Sequence, residues 1–151
     1  MKNALIAAAV LALAACASTP PHSAAPAQVA ATSGDAFYKE LGGTEGITKV
    51  VDAFFRRLNN DARINTLFRN VDHDDLRRLV IEQLCEATGG PCKYTGRSME
   101  EAHSGLNLTN ADFSAFVEDL KGGMNDCKVP YASQQKLIAM LAPMKKDVVG
   151  K

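Results

Sequence analysis

The 151-residue chain contains no tryptophan, and its formal charges cancel, because lysine and arginine together number 17 and so do aspartate and glutamate. Without net positive charge there is no basic field to attract a phosphate backbone, so a nucleic-acid partner is not expected. Three functional patterns are also missing from the sequence: the Gly-Lys-Ser/Thr ending of a phosphate loop, a Gly-x-Ser-x-Gly elbow and a His-Glu-x-x-His helix. Nucleotide-dependent and hydrolytic chemistry are therefore not predicted.

The four cysteines include no Cys-x-x-Cys pair, which disfavours a thiolate zinc site. Cys85 and Cys92 flank a turn that contains Gly89-Gly90-Pro91, and a disulfide there would contribute roughly 2 to 3 kcal/mol. Two independent small core residues explain the same spacing, so the sequence leaves the bridge open. Cys127 is predicted to be unpaired.

The first 34 residues are not expected to belong to the fold. A basic start at Lys2 precedes an uncharged apolar run, 4–15, that is too short to span a bilayer as a mature helix. Its end, Leu13-Ala14-Ala15-Cys16, resembles the lipobox of bacterial lipoproteins. We therefore predict a lipoprotein signal peptide at 1–15, lipidation of Cys16 and a flexible Ala/Pro/Ser tether at 16–34.

The lipobox resemblance implies an exported protein that the lipid on Cys16 anchors in a membrane. In bacterial lipoproteins the absence of Asp at the second mature position, here Ala17, favours the periplasmic side of the outer membrane where the host has two membranes. The alternative is an ordinary secretory signal with a chance cysteine. In both cases the domain is expected to leave the cytoplasm.

Residues 35–151 are predicted to form one all-α domain, because no segment shows convincing strand alternation. Apolar residues recur at spacings of three and four in four stretches that run from about Ile47, Leu76, Phe113 and Leu137. A last helix that begins between 130 and 133 is expected to kink at Pro143.

Local signals predict where the helices begin. A break with a possible N-cap lies at Gly42-Gly43-Thr44, and Asp72 precedes an acidic first turn. Ser98 and Thr109 each start a capping-box pattern, and the first of these opens a short helix that carries His103 and ends by Gly105.

The domain contains two histidines, His73 and His103. His103 lies on the short helix between glycine-containing turns. The same domain has apolar helices that contain phenylalanine. A flat apolar cofactor needs one neutral imidazole below a metal and a roof of apolar helix faces above it. The residues allow such a site without requiring it.

Several motifs resemble those of the group I truncated haemoglobins, in order and with suitable spacings from residue 36 to about 148. They are Phe37-Tyr38-Lys39-Glu40-Leu41-Gly42-Gly43, Phe54-Phe55, Phe68, Gly89-Gly90-Pro91, Lys93-Tyr94-Thr95-Gly96-Arg97, Met99 and Ala102-His103. The resemblance implies a two-over-two helical sandwich around haem b. Because the sequence lacks Cys-x-x-Cys-His, the haem is expected to be non-covalent and to contain one iron.

The same resemblance assigns roles to single residues. His103 is expected to be the proximal iron ligand, and Phe68 to pack on the porphyrin face. The distal side is expected to consist of Phe54, Phe55, Leu76, Val80 and Leu84, although plain core packing would explain these residues without the family match. The haem propionates are expected to be bound by Lys93, Tyr94 and Arg97.

The sequence departs from the family on the distal side, where Phe55 replaces a common tyrosine and Leu76 and Val80 replace common glutamines. Those polar residues hold oxygen by hydrogen bonds worth roughly 1.5 to 3 kcal/mol, so their absence is expected to speed oxygen loss about ten- to a hundredfold. Tight oxygen storage and efficient nitric oxide dioxygenation are therefore not predicted.

Three other side chains near the start of the Leu76 helix are candidates for a second iron ligand or a distal hydrogen-bond donor. An E-helix histidine that serves as a second axial ligand in some members corresponds to Leu79, so His73 is expected to be an exposed residue in an acidic turn. Arg77 or Arg78 turning inward would supply a donor that this interpretation lacks.

The expected function is reversible binding of oxygen, nitric oxide or carbon monoxide at the cell envelope. The alternative is a haem oxidoreductase that acts on nitric oxide or peroxide and takes electrons from an external donor, since the chain shows no flavin or nicotinamide site. A third hypothesis is a helical interaction lipoprotein without haem, in which His103→Ala would change nothing.

Overall fold

A computed structural model describes residues 34–151 of the chain, and these residues form helices and turns without a strand. The expected signal peptide and nearly all of the expected tether lie outside the described residues. The helices are α1 (Ala36–Glu40), α2 (Gly43–Asn60), α3 (His73–Ala87), α4 (Met99–His103), α5 (Asn110–Asp126) and α6 (Tyr131–Leu141), with 3-10 helices at Asn65–Phe68 and Ala142–Asp147. The predicted all-α class is confirmed.

Polar side chains cap three of the helices where the sequence predicts. The Asp72 carboxylate accepts hydrogen bonds from the backbone N–H groups of Asp74 and Asp75 at the start of α3. Ser98 and Thr109 form complete capping boxes at α4 and α5. Each cap satisfies N–H groups that have no partner inside the helix, which is why these starts are readable from local sequence.

Two helix ends differ from the expectation. Gly42, with φ of +85°, precedes α2 without a side-chain cap, and the hydroxyl of Thr44 instead bonds to that of Tyr38 at 2.7 Å. The last helix does not simply kink, because α6 ends at Leu141 and the chain continues as a 3-10 helix to Asp147. Pro143 has no N–H, and its ring would clash with the carbonyl of Ala139, so the α-helical pattern stops there.

The core forms where α2 packs against α5 and α3. Its fully buried members include Val51, Phe54, Leu58 and Met124. Gly123 permits the close approach of α5, because a Cβ at this position would lie 2.7 Å from the backbone nitrogen of Phe54. Among the helices of residues 34–151, none has the length and apolarity needed to cross a membrane.

A disulfide joins Cys85, at the end of α3, to Cys92, and the two Cα atoms are 5.7 Å apart. The bridge that the sequence leaves open is therefore present, and Cys127 is free among the described residues. The bridge closes the Gly89-Gly90-Pro91 turn and ties the segment that follows it to α3.

Replacing both bridged cysteines by alanine is expected to lower the free energy of unfolding by about 2 to 3 kcal/mol, because a closed loop of this size restricts the unfolded chain. Urea unfolding of the oxidised chain and of the double variant measures the difference. Dithiothreitol should destabilise the wild type and leave the double variant unchanged, while Cys127→Ala serves as the control. Equal stability of oxidised wild type and double variant would contradict the expectation.

Asp119 on α5 is the buried acid of the fold, with 8% of its surface exposed and its Oδ2 atom without a hydrogen-bond partner among residues 34–151. Burial raises the pKa of this carboxyl above its ordinary value, and the nearby Asp61 adds to the shift. A carboxyl whose pKa is higher in the folded state than in the unfolded chain costs stability once pH rises above the unfolded pKa.

Asp119→Asn is therefore expected to raise the free energy of unfolding at neutral pH by about 1 kcal/mol, because a neutral amide removes the uncompensated buried charge. The gain should shrink as pH falls and vanish below 3.8, the ordinary pKa, because there the wild-type carboxyl is protonated in both states. Thermal unfolding of both proteins between pH 3 and 8 tests this, and a gain that does not vary with pH would contradict it.

Candidate functional site

A cavity of about 360 Å³ opens between α2, α3, α4, α5 and the C-terminal 3-10 helix. Its volume lies within the range of about 300 to 1,000 Å³ that is usual for small-molecule and cofactor sites. The walls are mainly apolar and aromatic. They include Phe54, Phe55, Leu58, Ile64, Phe68, Leu76, Leu79, Val80, Phe113, Phe116, Val117 and Leu120.

His103, the last residue of α4, is half-buried and lines this cavity. Its Nδ1 atom lies 2.6 Å from the carbonyl oxygen of Met99. A carbonyl only accepts hydrogen bonds, so Nδ1 carries a proton, and in the neutral imidazole Nε2 then keeps a free lone pair. This is the tautomer of a neutral imidazole that coordinates a metal through Nε2, with a backbone carbonyl orienting the ring.

The wall that α3 contributes to the cavity is apolar at Leu76, Leu79 and Val80. Arg77 and Arg78 do not line it, because Arg77 pairs with Asp52 while Arg78 pairs with Asp75 and Glu82. In the described residues, neither guanidinium therefore supplies the inward-turned donor that was considered from the sequence.

The environment of His73 differs from the expectation. The residue is half-buried, and its Nε2 atom lies 3.0 Å from the carbonyl oxygen of Phe68, to which it donates. Its ring also meets that of Phe55, with 6.4 Å between the centroids. His73 is therefore a structural residue behind the cavity wall rather than an exposed one.

Of the ten side chains expected around the cofactor, eight line the cavity: His103, Phe68, Phe54, Phe55, Leu76, Val80, Tyr94 and Arg97. Leu84 does not, since it is only 2% exposed and packs in the core beside Leu41, Val50 and Leu137. At about 100° per residue, Leu84 is turned about 80° from Leu76 around α3, whereas Gln83 is turned only about 20°. The cavity face therefore continues through Gln83, which the sequence interpretation missed and a spacing of seven from Leu76 would have identified.

Lys93 also lies away from the cavity. Its Nζ atom pairs with Glu86 at 3.2 Å, and 86% of its side chain is exposed. Arg97, in contrast, lines the cavity and makes no ion pair within residues 34–151. Arg97 is thus the cation available to an anionic group in the cavity, and the expected role of Lys93 is not supported by its position.

The segment that carries Tyr94 and Arg97 is fixed to α3. Glu82 accepts hydrogen bonds from the backbone and hydroxyl of Thr95, and Glu86 accepts one from the backbone N–H of Tyr94. These bonds hold the pKa of each glutamate below its ordinary value. The Tyr94 hydroxyl donates to the carbonyl of Arg97 at 2.9 Å, and burial raises the pKa of this phenol.

The cavity also has lining residues to which the sequence assigns no role. Met99 is one of them, and the C-terminal 3-10 helix with its following turn contributes Met144 and Val148. Within residues 34–151, no group of three or more His, Cys, Asp or Glu side chains is arranged to hold a metal ion.

A helical fold that places one histidine in an apolar slot suits a protein that binds a flat metal-containing cofactor. A family profile described as bacterial-like globin matches residues 36–150, and the chain belongs to this family. The group 1 truncated haemoglobin of Tetrahymena pyriformis is 32% identical over 114 residues, which are 76% of this chain and 94% of that protein. The group 1 truncated haemoglobin of a Synechocystis strain is 36% identical over 123 residues, 75% and 96% of the two chains.

Solved structures agree with the sequence relatives. The Fe(III) form of the Tetrahymena pyriformis truncated haemoglobin superposes with a TM-score of 0.74 at 31% identity, covering 76% of this chain and 98% of that one. A 2/2 haemoglobin of Synechococcus, solved in the cyanomet state with covalently attached haem, gives a TM-score of 0.70 at 25% identity, covering 75% and 97%. The expected truncated-globin fold is confirmed.

Haem is the cofactor that the globin family implies, and the residues of this cavity fit it. A porphyrin brings four nitrogen ligands of its own and needs one imidazole from the protein, which His103 offers through Nε2. Its flat apolar surface matches the aromatic and aliphatic walls, and its carboxylates match the guanidinium of Arg97.

Proposed function

We propose that the protein is a globin that holds haem b non-covalently and reversibly binds a diatomic ligand: oxygen, nitric oxide or carbon monoxide. The observation that carries the proposal is the Nδ1 to Met99 carbonyl bond, which leaves the Nε2 lone pair of His103 in an apolar cavity. Bound haem supplies an iron that takes up the ligand, and the chain supplies the proximal nitrogen, the apolar walls and the exclusion of water.

The walls favour ligands that need no hydrogen bond. The apolar residues that α2 and the first two turns of α3 contribute to the cavity carry neither a hydroxyl nor an amide. They are Phe55, Leu76, Leu79 and Val80. Oxygen depends more strongly than carbon monoxide on a polar partner, because it draws negative charge when bound. We therefore infer fast oxygen release and efficient binding of carbon monoxide or nitric oxide.

The proposal extends to the cell envelope. The apolar run at 4–15 followed by Cys16 supports export, lipidation of Cys16 and attachment to a membrane, with 16–34 as the tether and 35–151 as the globin domain. Membrane attachment is a part of this proposal that rests on the sequence pattern. An external electron donor is a part that rests on the site chemistry.

Reconstitution of the purified chain with haemin tests the central claim. Absorption spectra of the ferric, ferrous and carbonmonoxy forms should show stoichiometric haem, and the carbonmonoxy form should appear on mixing with carbon monoxide. If the chain takes up no haem under conditions that load a control globin, the haem proposal fails and a helical interaction lipoprotein becomes the better interpretation. Turnover of peroxide or nitric oxide with an added reductant would favour the oxidoreductase instead.

A further inference from the structure

Gln83 places one amide where three segments of the fold meet. The residue is half-buried on α3 and lines the cavity. Its Nε2 atom lies 3.4 Å from Sδ of Met99 on α4 and 3.5 Å from Sδ of Met144 on the C-terminal 3-10 helix. A single side chain thus connects α3, α4 and the C-terminal segment.

Met99 is the link between this amide and His103. Its sulfur accepts from Gln83, and its carbonyl accepts the Nδ1 proton of His103 at 2.6 Å. Met99 therefore contacts Gln83 through its side chain and His103 through its backbone carbonyl. A shift of Met99 moves the carbonyl that sets both the tautomer and the orientation of the imidazole.

α4 has little of its own to hold this geometry. It is five residues long and begins with the Ser98 capping box, and it packs against the C-terminal 3-10 helix. Helices of this length are not stable by themselves, so contacts from outside decide where the helix lies. Gln83 supplies such a contact from α3, one of the main walls of the cavity.

Packing alone does not account for a glutamine at position 83. Leucine or methionine would fill a similar volume without placing an amide in an apolar wall, and thioether sulfurs are weak acceptors. An amide differs from an apolar side chain because its hydrogen bonds require an acceptor at a defined distance and angle. Here the acceptors are the sulfur of Met99, at the start of α4, and the sulfur of Met144, on the C-terminal 3-10 helix.

We propose that Gln83 is a positioning residue for the imidazole of His103, acting by holding the Met99 and Met144 sulfurs in place. The inference rests on the proposed role of His103 as the haem ligand. It adds Gln83 on α3 to the residues that orient Nε2 of His103. It also predicts that Gln83 and Met99 act as one unit.

The test is a double-mutant cycle with Gln83→Leu and Met99→Leu, two replacements that keep most of the volume. In the cofactor-free full chain, amide hydrogen exchange of Ala102 and His103 should be about two- to tenfold faster in either variant than in the wild type. The double variant should be no faster than Gln83→Leu, because Met99→Leu removes a bond that Gln83→Leu has already removed. Gln135→Leu, on the exposed face of α6, is the matched control and should change nothing.

A second measurement uses the haem-loaded ferrous chain. The iron–histidine stretching band in its Raman spectrum should shift or broaden in Gln83→Leu and in Met99→Leu, and should keep its position in Gln135→Leu. Unchanged exchange in Gln83→Leu, or additive effects in the double variant, would overturn the proposal. Failure of the wild type to bind haem would instead refute the proposed function, while the exchange cycle in the cofactor-free chain would still decide whether Gln83 holds α4.

Discussion

Replacing His103 by glycine is expected to lower haem affinity by more than about 100-fold, since even the loss of a residue that only orients a metal ligand commonly costs 10- to 100-fold. The glycine leaves space beside Met99 for a free imidazole. Added imidazole should therefore restore the absorption spectrum of the five-coordinate ferrous form. Haem titration with and without imidazole measures both effects.

His73→Ala is the matched control for this experiment. His73 donates to the carbonyl of Phe68 and stands behind Phe55, so its loss should leave haem binding close to the wild-type value. Stoichiometric haem with an unchanged ferrous spectrum in His103→Gly, before imidazole is added, would show that another residue holds the iron. An equal loss of haem affinity in His73→Ala would contradict the assignment of His103 as the iron ligand.

Leu76→Gln is expected to slow oxygen dissociation from the ferrous protein by about ten- to a hundredfold. Leu76 lines the cavity on α3, and an amide there would give an oxygen ligand a hydrogen bond worth roughly 1.5 to 3 kcal/mol. The rate for carbon monoxide should change much less, because that ligand carries less charge. Stopped-flow mixing with an oxygen scavenger measures the dissociation rate.

Leu76→Met controls for the change in shape at this position, because methionine is flexible and of similar volume but brings no N–H donor. It should leave the oxygen dissociation rate near that of the wild type. Equal slowing in the methionine and glutamine variants would mean that access to the cavity, rather than a hydrogen bond, limits oxygen loss. No slowing in Leu76→Gln would place the oxygen site away from this part of α3.

The features that the sequence predicted well are those that depend on neighbours in the chain. The carboxylate of Asp72 and the hydroxyls of Ser98 and Thr109 cap N–H groups within three residues, so a short motif contains both partners of each bond. The family motifs likewise located His103, whose partner Met99 is one turn away. Such pairs require no knowledge of the fold.

The structure departs from the sequence expectations where a side chain has partners that are distant in the chain, or where a small difference in helical phase decides which face a residue occupies. Lys93 meets Glu86 across the turn that the disulfide closes. Leu84 and Gln83 are adjacent in sequence, yet they face the core and the cavity respectively. The hydrophobic pattern ranks leucine as the better wall residue, whereas the spacing of seven from Leu76 places glutamine on the cavity face.

Because of the Cys85–Cys92 bridge, completion of one cavity wall depends on the redox conditions around the chain. Thiols stay reduced in the cytosol, so the segment with Tyr94 and Arg97 becomes covalently closed only after the chain meets an oxidising compartment. If the chain is exported as proposed, this side of the cavity is completed outside the cytoplasm. That compartment must then supply both the oxidant that forms the bridge and the haem that fills the cavity.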